Sequence, residues 1–547
     1  MCGITAFFGD HTVANLETYF KRGSKRGPEN YTYECNQDVH LGFHRLAING
    51  LNPESSQPLH YKNYVMVCNG EIYNYKELVE RYQFKMNTQS DCEVIVMLYE
   101  LMKEKCLYEL DGEFAFVIHD LSDNHIFAAR DPYGVRPLYI NQVQQSFCLS
   151  SDLSPMKFLP MIEVNQFPPG HYSVFHTNLF GYMQQSFSYH TIGCPNNSIV
   201  YPVKDNVFTI WKSMGNASPL WFVYASLYEA VRKRVMNTER PVACLLSGGL
   251  DSSVVAAIAA RICSQEGKQL ETYSIGLPGS EDLKYSSKVA DHIKSKHTQL
   301  VCTEDEFVDS IPNVIRDIES YDTTTVRASV GNWNIGKYIR ENSEAKVVLN
   351  GDGADEVMGG YLYFHACPNE EEFDKECRRL LNHISRFDVL RSDKSIASHG
   401  LEPRTPYLDK AFVDAYMTLP CSFRYHKGDI EKRAIRSILE WLDPTLIPRE
   451  ILFRKKEAFS DGVSSLDKSW YQTIQEKIPI QPQVIGTNYD FNIPTTDEQR
   501  YYRDTFRKFH KDCDHLVPYF WMPRFVNATD ASARTLSQYK DTNTLNQ

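Results

Sequence analysis

Several absences narrow the class of this chain. It has no run of about 18 apolar residues, the length that a membrane-crossing helix needs. Its start, Met1-Cys2-Gly3-Ile4, lacks a charged segment followed by an apolar stretch, so no secretory signal is expected. The 14 cysteines include no C-x-x-C pair and no ladder of spacings, which predicts reduced, buried thiols and a cytoplasmic location rather than a disulfide framework. Basic residues come only in short groups such as Arg454-Lys455-Lys456, within a net charge of −11. That pattern excludes the basic face of a nucleic-acid binder but leaves room for local phosphate pockets. Neither a nucleic-acid nor a membrane partner is expected, and no internal repeat is present.

What is present fits a multidomain globular protein. At 547 residues the chain is too long for one hydrophobic core, since domains usually run to about 100–200 residues. Between about residues 30 and 180, short apolar runs such as Tyr64-Val65-Met66-Val67-Cys68 and Phe114-Ala115-Phe116-Val117-Ile118 alternate with breakers such as Asn69-Gly70 and Asp111-Gly112. This predicts antiparallel β-structure, interrupted by a helix over 91–105 with apolar residues at the helical period. Residues 186–220 read as a linker rich in Pro, Asn and Ser. Beyond it, apolar strands such as Val242-Ala243-Cys244-Leu245-Leu246 alternate with helices, implying a parallel sheet covered on both faces. The chain after about residue 425 looks mainly helical, and its last twenty or so residues are polar enough to fray. The expected division is 2–185, linker 186–220, 221–525 and a tail 526–547.

Cys2 stands directly behind Met1. Trimming of the methionine would leave a thiol and a free α-amine, nucleophile and base, on one residue. By itself this means little. Further on come Arg26-Gly27-Pro28, Phe43-His44-Arg45-Leu46-Ala47-Ile48, Asn69-Gly70-Glu71-Ile72-Tyr73-Asn74 and Ser90-Asp91-Cys92-Glu93. In that order they resemble the class II glutamine amidotransferases, which implies an N-terminal-nucleophile αββα sandwich. The resemblance makes Cys2 the attacking thiol, with the Asn69 side chain and Gly70 N–H as oxyanion hole. It gives the glutamine pocket to Arg45, Leu46, Ala47, Ile48, Asn49, Asn69, Gly70, Glu71 and Asp91. Arg45 would hold the α-carboxylate, and Glu71 and Asp91 the α-ammonium.

A second site lies between an apolar strand and a helix, at Leu245-Leu246-Ser247-Gly248-Gly249-Leu250-Asp251-Ser252-Ser253. Glycines admit an anion close to the backbone, and the helix start turns N–H groups towards it. No Gly-Lys-Ser/Thr follows, so this is not a Walker A loop, and it lacks the dinucleotide spacing. The pattern resembles the pyrophosphate loop of ATP pyrophosphatases, a parallel-sheet α/β nucleotide-binding fold. Together the two halves predict a two-domain α/β and α+β chain. The resemblance implies ATP contacts from Leu245, Ser247, Gly248, Gly249, Asp251, Ser252, Ile275, Asn350 and Gly351. It also implies Mg²⁺ on Asp251 and Asp355, the latter in Asn350-Gly351-Asp352-Gly353-Ala354-Asp355-Glu356. The stretches Glu319 to Ser329, Gly359-Gly360-Tyr361, Lys455 to Val463, and the segment with Arg391, Lys394, Gly400, Glu402, Arg404, Pro406 and Asp409 resemble the asparagine synthetases.

That likeness implies glutamine, aspartate and ATP as substrates and a homodimer as assembly, with Thr324, Arg327 and Lys456 at the phosphates or activated aspartate. It departs at Asp352, where the family often carries Glu, assigned to the adenylate or to its ammonia adduct. Aspartate reaches about 1.5 Å less, enough to matter for attack geometry. Two other readings stay open from sequence: amidation of a different carboxylate, and an idle relative kept for structure.

Overall fold

A strand buried on both faces must be apolar in both of its alternating registers. Tyr64–Ile72 and Gly112–Asp120 are such strands, paired antiparallel with Asn69 opposite Ala115 and Gly70 opposite Phe114. Val65, Val67, Ala115 and Val117 enter one core, while Met66, Cys68, Phe114 and Phe116 enter another. A computed structural model describes residues 2–9, 15–178, 181–192, 219–426, 429–479, 489–537 and 539. Its first part holds two six-stranded antiparallel sheets. Ile4, Phe8, Phe43 and Phe147 of one sheet meet Val65, Val67 and Val117 of the other in the core between them. Helices Tyr75–Tyr82 and Glu93–Met102 cover the outer face of the second sheet. The helix expected over 91–105 is thus shorter, because Lys103, at φ 52, ends it before a 3-10 turn.

The other outer layer of the αββα sandwich is thin within its own domain, a five-residue helix Leu16–Phe20. Phe7, Tyr139 and Cys148 on that face share one hydrophobic cluster with Phe307, Ile311 and Ile318 of helix Glu304–Ile318 and with Phe506 of helix Asp497–Phe509. The second domain therefore completes the first.

That second domain is built on five parallel strands in the order Lys296–Val301, Glu271–Gly276, Val242–Leu245, Val347–Leu349, Glu402–Arg404. The chain leaves the central strand Val242–Leu245 first to one side and later to the other, so the loops after Leu245 and Leu349 diverge at a topological switch point. Ligands of open α/β sheets bind at such points.

Of the expected linker, residues 186–188 finish strand Gly181–Ser188, residues 219–220 open helix Pro219–Met236, and 193–218 lie outside the described residues. The fraying expected from residue 526 is not what the described part does. Asp530 accepts from Arg327 at 2.7 Å, Ser532 Oγ donates to Asp461 at 2.7 Å, and the Tyr539 carbonyl accepts from Lys455 at 2.7 Å. Short polar side chains here satisfy buried partners, which hydropathy does not register. Among the described residues no helix is long and apolar enough to cross a membrane.

Candidate active site

Cys2 precedes strand Gly3–Phe8, half-buried, with its thiol donating to the Leu46 carbonyl at 3.6 Å. Burial pushes the thiol up to about 11, partly offset by the positive amino terminus. Arg26 fixes the main chain there, its Nε donating to the Cys2 carbonyl at 3.2 Å. Asn69 is fully buried, yet neither its Nδ2 nor its Oδ1 has a hydrogen-bond partner. An amide left unpaired in a folded interior costs about 1–3 kcal/mol, so a ligand that completes it is the economical explanation. Gly70 is required by close approach: a Cβ there would lie 2.5 Å from the Glu113 carbonyl and 2.7 Å from Phe114 Cα.

Several residues of the expected glutamine pocket are held in place by hydrogen bonds. Arg45 Nη2 donates to the Asn52 carbonyl at 2.9 Å and to that of Gly50, so the loop orients the guanidinium. Asp91 accepts from Ile72 N at 2.7 Å, and burial raises its carboxyl to about 6. Glu71 accepts from Asn49 Nδ2 at 2.7 Å, and burial, with Asp91 and Glu402 nearby, pushes it well above the usual carboxylate range. Leu46 and Ile48 can face a ligand only through their main chain. Their side chains belong to the hydrophobic core of the second domain, with Val223, Leu227 and Leu250. What Leu46 offers Cys2 is its carbonyl. Ala47 is likewise bound through its main chain, N to Glu29 at 2.8 Å and carbonyl to Arg240 Nε at 2.9 Å.

The second half-site is a cavity of about 1280 Å³, open mouth included, at the switch point of the parallel sheet. Leu245, Ser247, Gly249, Asp251, Ser252, Ile275, Asn350 and Gly351 line it, with Thr324, Asp352, Asp355 and Lys456. The Ser247–Ser252 turn closes on itself, Ser252 Oγ accepting from Ser247 N at 3.1 Å. Helix Leu250–Gln265 then starts at the cavity. Gly248 does not line it. At φ +73, with Tyr285 and Ser286 backbone 2.5 Å from where a Cβ would stand, it makes the turn and backs onto helix Glu281–Ile293.

Asp251 and Asp355 meet over two lysines. Lys432 Nζ lies 2.5 Å from Asp251 Oδ2 and 2.5 Å from Asp355 Oδ1, and Lys456 Nζ lies 2.6 Å from Asp355 Oδ2. Burial alone would raise Asp355, but Lys432 and Lys456 outweigh it and hold the carboxyl far below its usual range. Lys432 escaped sequence reasoning because its partners lie far along the chain, Asp251 being 181 residues away. Asp251 Oδ1 is buried without a partner. Two hard carboxylates, one with an orphan oxygen, suit Mg²⁺ carried on a polyphosphate, and the lysines suit the phosphates.

Asp352 faces the cavity, its Oδ1 3.3 Å from Arg391 Nη2, while Arg391 also lies 2.9 Å from Asp388. Burial raises Asp352, with Arg391 opposing. Thr324 Oγ1 is buried and unpartnered at the cavity wall. Arg327 is not brought to this wall. Its guanidinium donates to Glu498 at 2.8 and 2.6 Å and to Asp530 at 2.7 and 2.9 Å, a cross-link that occupies it.

The segment around residues 391–409 lies between the half-sites. Lys394 pairs with Asp152 at 2.7 Å and Glu319 at 2.6 Å, and Arg136 with Glu113 at 2.9 Å and Asp393 at 3.4 Å. Arg234 joins Glu113 at 2.8 Å to Asp409 at 2.7 Å. These buried charges seal one domain onto the other.

Comparison with known proteins matches both halves. A glutamine amidotransferase domain model covers residues 1–191, and an asparagine synthase model covers 223–373 and 366–521. The human protein named asparagine synthetase [glutamine-hydrolyzing] is 38% identical over 564 residues, 99% of each chain. The rat protein of that name is 38% identical over 566 residues, covering 99% of this chain and all of the rat chain. An orphan buried amide at Asn69, and a carboxylate–lysine square at a parallel-sheet switch point, thus sit in a chain alike to these proteins from end to end. It belongs to the family of glutamine-hydrolysing asparagine synthetases.

Proposed function

We propose that the protein makes asparagine from aspartate, glutamine and ATP, releasing glutamate, AMP and pyrophosphate. The observation that supports this most is the pairing of two half-sites in one chain, the unpartnered Asn69 amide in the first domain and the Asp251–Asp355–Lys432–Lys456 square in the second.

In the first half, the Cys2 α-amine takes the thiol proton as sulfur attacks the glutamine carboxamide. Asn69 Nδ2 and Gly70 N–H receive the developing oxyanion, where each donor is worth roughly 3 kcal/mol. The amine returns the proton to departing ammonia, and water hydrolyses the thioester to glutamate. In the second half, the aspartate side chain attacks the α-phosphorus of ATP and pyrophosphate leaves, giving β-aspartyl-AMP. Ser247, Gly249 and Ser252 cradle the departing pyrophosphate, and Lys432 and Lys456 neutralise it. Asp251 and Asp355 would hold Mg²⁺, which when bound supplies charge to the polyphosphate. Ammonia crosses between the domains, adds to the β-acyl carbon and expels AMP, with Asp352 placed to take the proton. An enclosed path is needed because ammonia in water near neutrality is almost wholly ammonium, which has no lone pair to attack with. The reading includes a cytoplasmic homodimer.

Mass spectrometry of a reaction with aspartate, ATP and glutamine tests it. Asparagine, AMP and pyrophosphate are expected in equal amounts, and ADP in place of AMP would refute the adenylate route.

A further inference from the structure

Glu71 belongs to the glutamine pocket, yet it is held largely from the other domain. Its Oε2 accepts from Asn49 Nδ2 at 2.7 Å and Asn237 Nδ2 at 3.3 Å, and lies 3.3 Å from Arg404 Nη2. Asn237 follows helix Pro219–Met236, and Arg404 ends the edge strand Glu402–Arg404. Arg404 also reaches the second half-site, through its main chain. Its carbonyl accepts from Asn350 N at 3.2 Å, and Asn350 Oδ1 accepts from Asp352 N at 3.2 Å. The fully buried guanidinium is pinned by Glu402 at 2.8 Å and by the carbonyls of Arg234 at 2.7 Å and Asn237 at 3.0 Å. Nε and Nη1 are hydrogen-bonded, while Nη2 makes ion-pair contacts alone, 2.8 Å from Glu402 and 3.3 Å from Glu71, in a planar fork that a lysine cannot reproduce.

We propose that Arg404 is the positioning residue shared by both half-sites. Its side chain sets the carboxylate that receives the glutamine ammonium, and its main chain sets the loop that presents Asp352. This rests on the asparagine synthetase reading above. One rigid reference then serves both reactions, so a disturbance at Arg404 loosens glutamine binding and the coupling of hydrolysis to synthesis together.

Glu71 is faced by Asp91 from the turn before helix Glu93–Met102, by Glu402 and Arg404 from the edge strand, and by the amino terminus. Burial, Asp91 and Glu402 raise its pKa, while Arg404 and the amino terminus lower it. Glutamine binding needs Glu71 ionised, so the acid limb of kcat/KM for glutamine follows that pKa. Loss of the Arg404 charge must move this limb to higher pH, and loss of the Glu402 charge must move it to lower pH.

The experiment compares full-length parent, Arg404→Met, Arg404→Lys and Glu402→Gln for glutaminase, glutamine-dependent and ammonia-dependent synthesis across the acid limb. Arg404→Met is expected to raise KM for glutamine about tenfold, the scale of one buried charge–charge contact, and to lower asparagine formed per glutamate. Arg404→Lys should bring the acid limb back while leaving KM raised, because charge returns without the fork. Unchanged KM and product ratio in folded Arg404→Met, or acid limbs moving the same way in the Met and Gln variants, would overturn the proposal. If Arg404→Met does not fold, Glu402→Gln decides, and an unmoved acid limb overturns it. A parent that makes no asparagine from either nitrogen source would instead defeat the reading beneath it.

Discussion

Cys2 is a poor thiolate until it is used. Burial holds its thiol at about 11, so near neutrality it is protonated and hydrogen-bonded to Leu46. A free Cys2 α-amine, with a reference pKa of about 7.7–8.0, is the base proposed for it. Cys2→Ala should abolish glutaminase and glutamine-dependent synthesis while ammonia-dependent synthesis stays within about twofold, and equal loss of both would make Cys2 structural. Intact mass of the active protein should lack the initiating methionine. Asp352 is the other residue-scale test. Arg391 lies 3.3 Å from its carboxylate, so charge and not only shape is recognised there. Asp352→Asn should cost at least about 10²-fold in asparagine release, while Asp352→Glu keeps measurable activity. A loss of a few-fold in the Asn variant would leave Asp352 as a loop cap.

Among the elements, the two loops at the carboxyl ends of neighbouring strands decide whether the cavity forms. Gly351 is tight against the other loop: a Cβ would stand 2.9 Å from Ser252 N and 3.0 Å from Asp251 C. Gly351→Ala must therefore part the loops that carry Asp251 and Asp355. Overpacking of this kind costs about 1–3 kcal/mol, and here it falls on positions that must stay fixed within a fraction of an ångström. Synthesis from ammonia and from glutamine should both fall more than about tenfold, with glutaminase unchanged. Isotope exchange of pyrophosphate into ATP reads the effect directly, and exchange at the parent rate would show that the loops tolerate separation. The sequence disclosed this element through its motif, Ser-Gly-Gly entering a helix. It did not separate Gly248 from Gly249, since a glycine that makes the turn and one that lines a pocket look alike in one dimension.

For the molecule as a whole, the C-terminal segment matters more than its polarity suggested. Asp530 shares Arg327 with Glu498, and Ser532 and Ala533 N both bind Asp461, the residue after the cavity-lining stretch 456–460. Removing residues 526–547 would leave Arg327 and Asp461 short of buried partners, each worth about 1–3 kcal/mol. Ammonia-dependent synthesis should then drop more than about tenfold while glutaminase, built on the other sheets, survives. Retained synthesis in the shortened protein would mean that the segment only covers the site.

The sequence by itself disclosed the two fold classes and the two loops that follow Leu245 and Leu349, and by resemblance it named candidates for the nucleophile and the oxyanion pair. Each is local: a strand, a breaker and a few residues at short spacing carry it. Only tertiary structure decided the rest. Lys432 joined the carboxylates from far along the chain, and Arg327 was turned away from the cavity by acids from Glu498 and Asp530. The Leu46 and Ile48 side chains went to the neighbouring core, and one outer layer of the first sandwich was completed by the second domain. Charge pairing and burial depend on what lies across space, and a buried ion or apolar face takes whichever partner the packing brings.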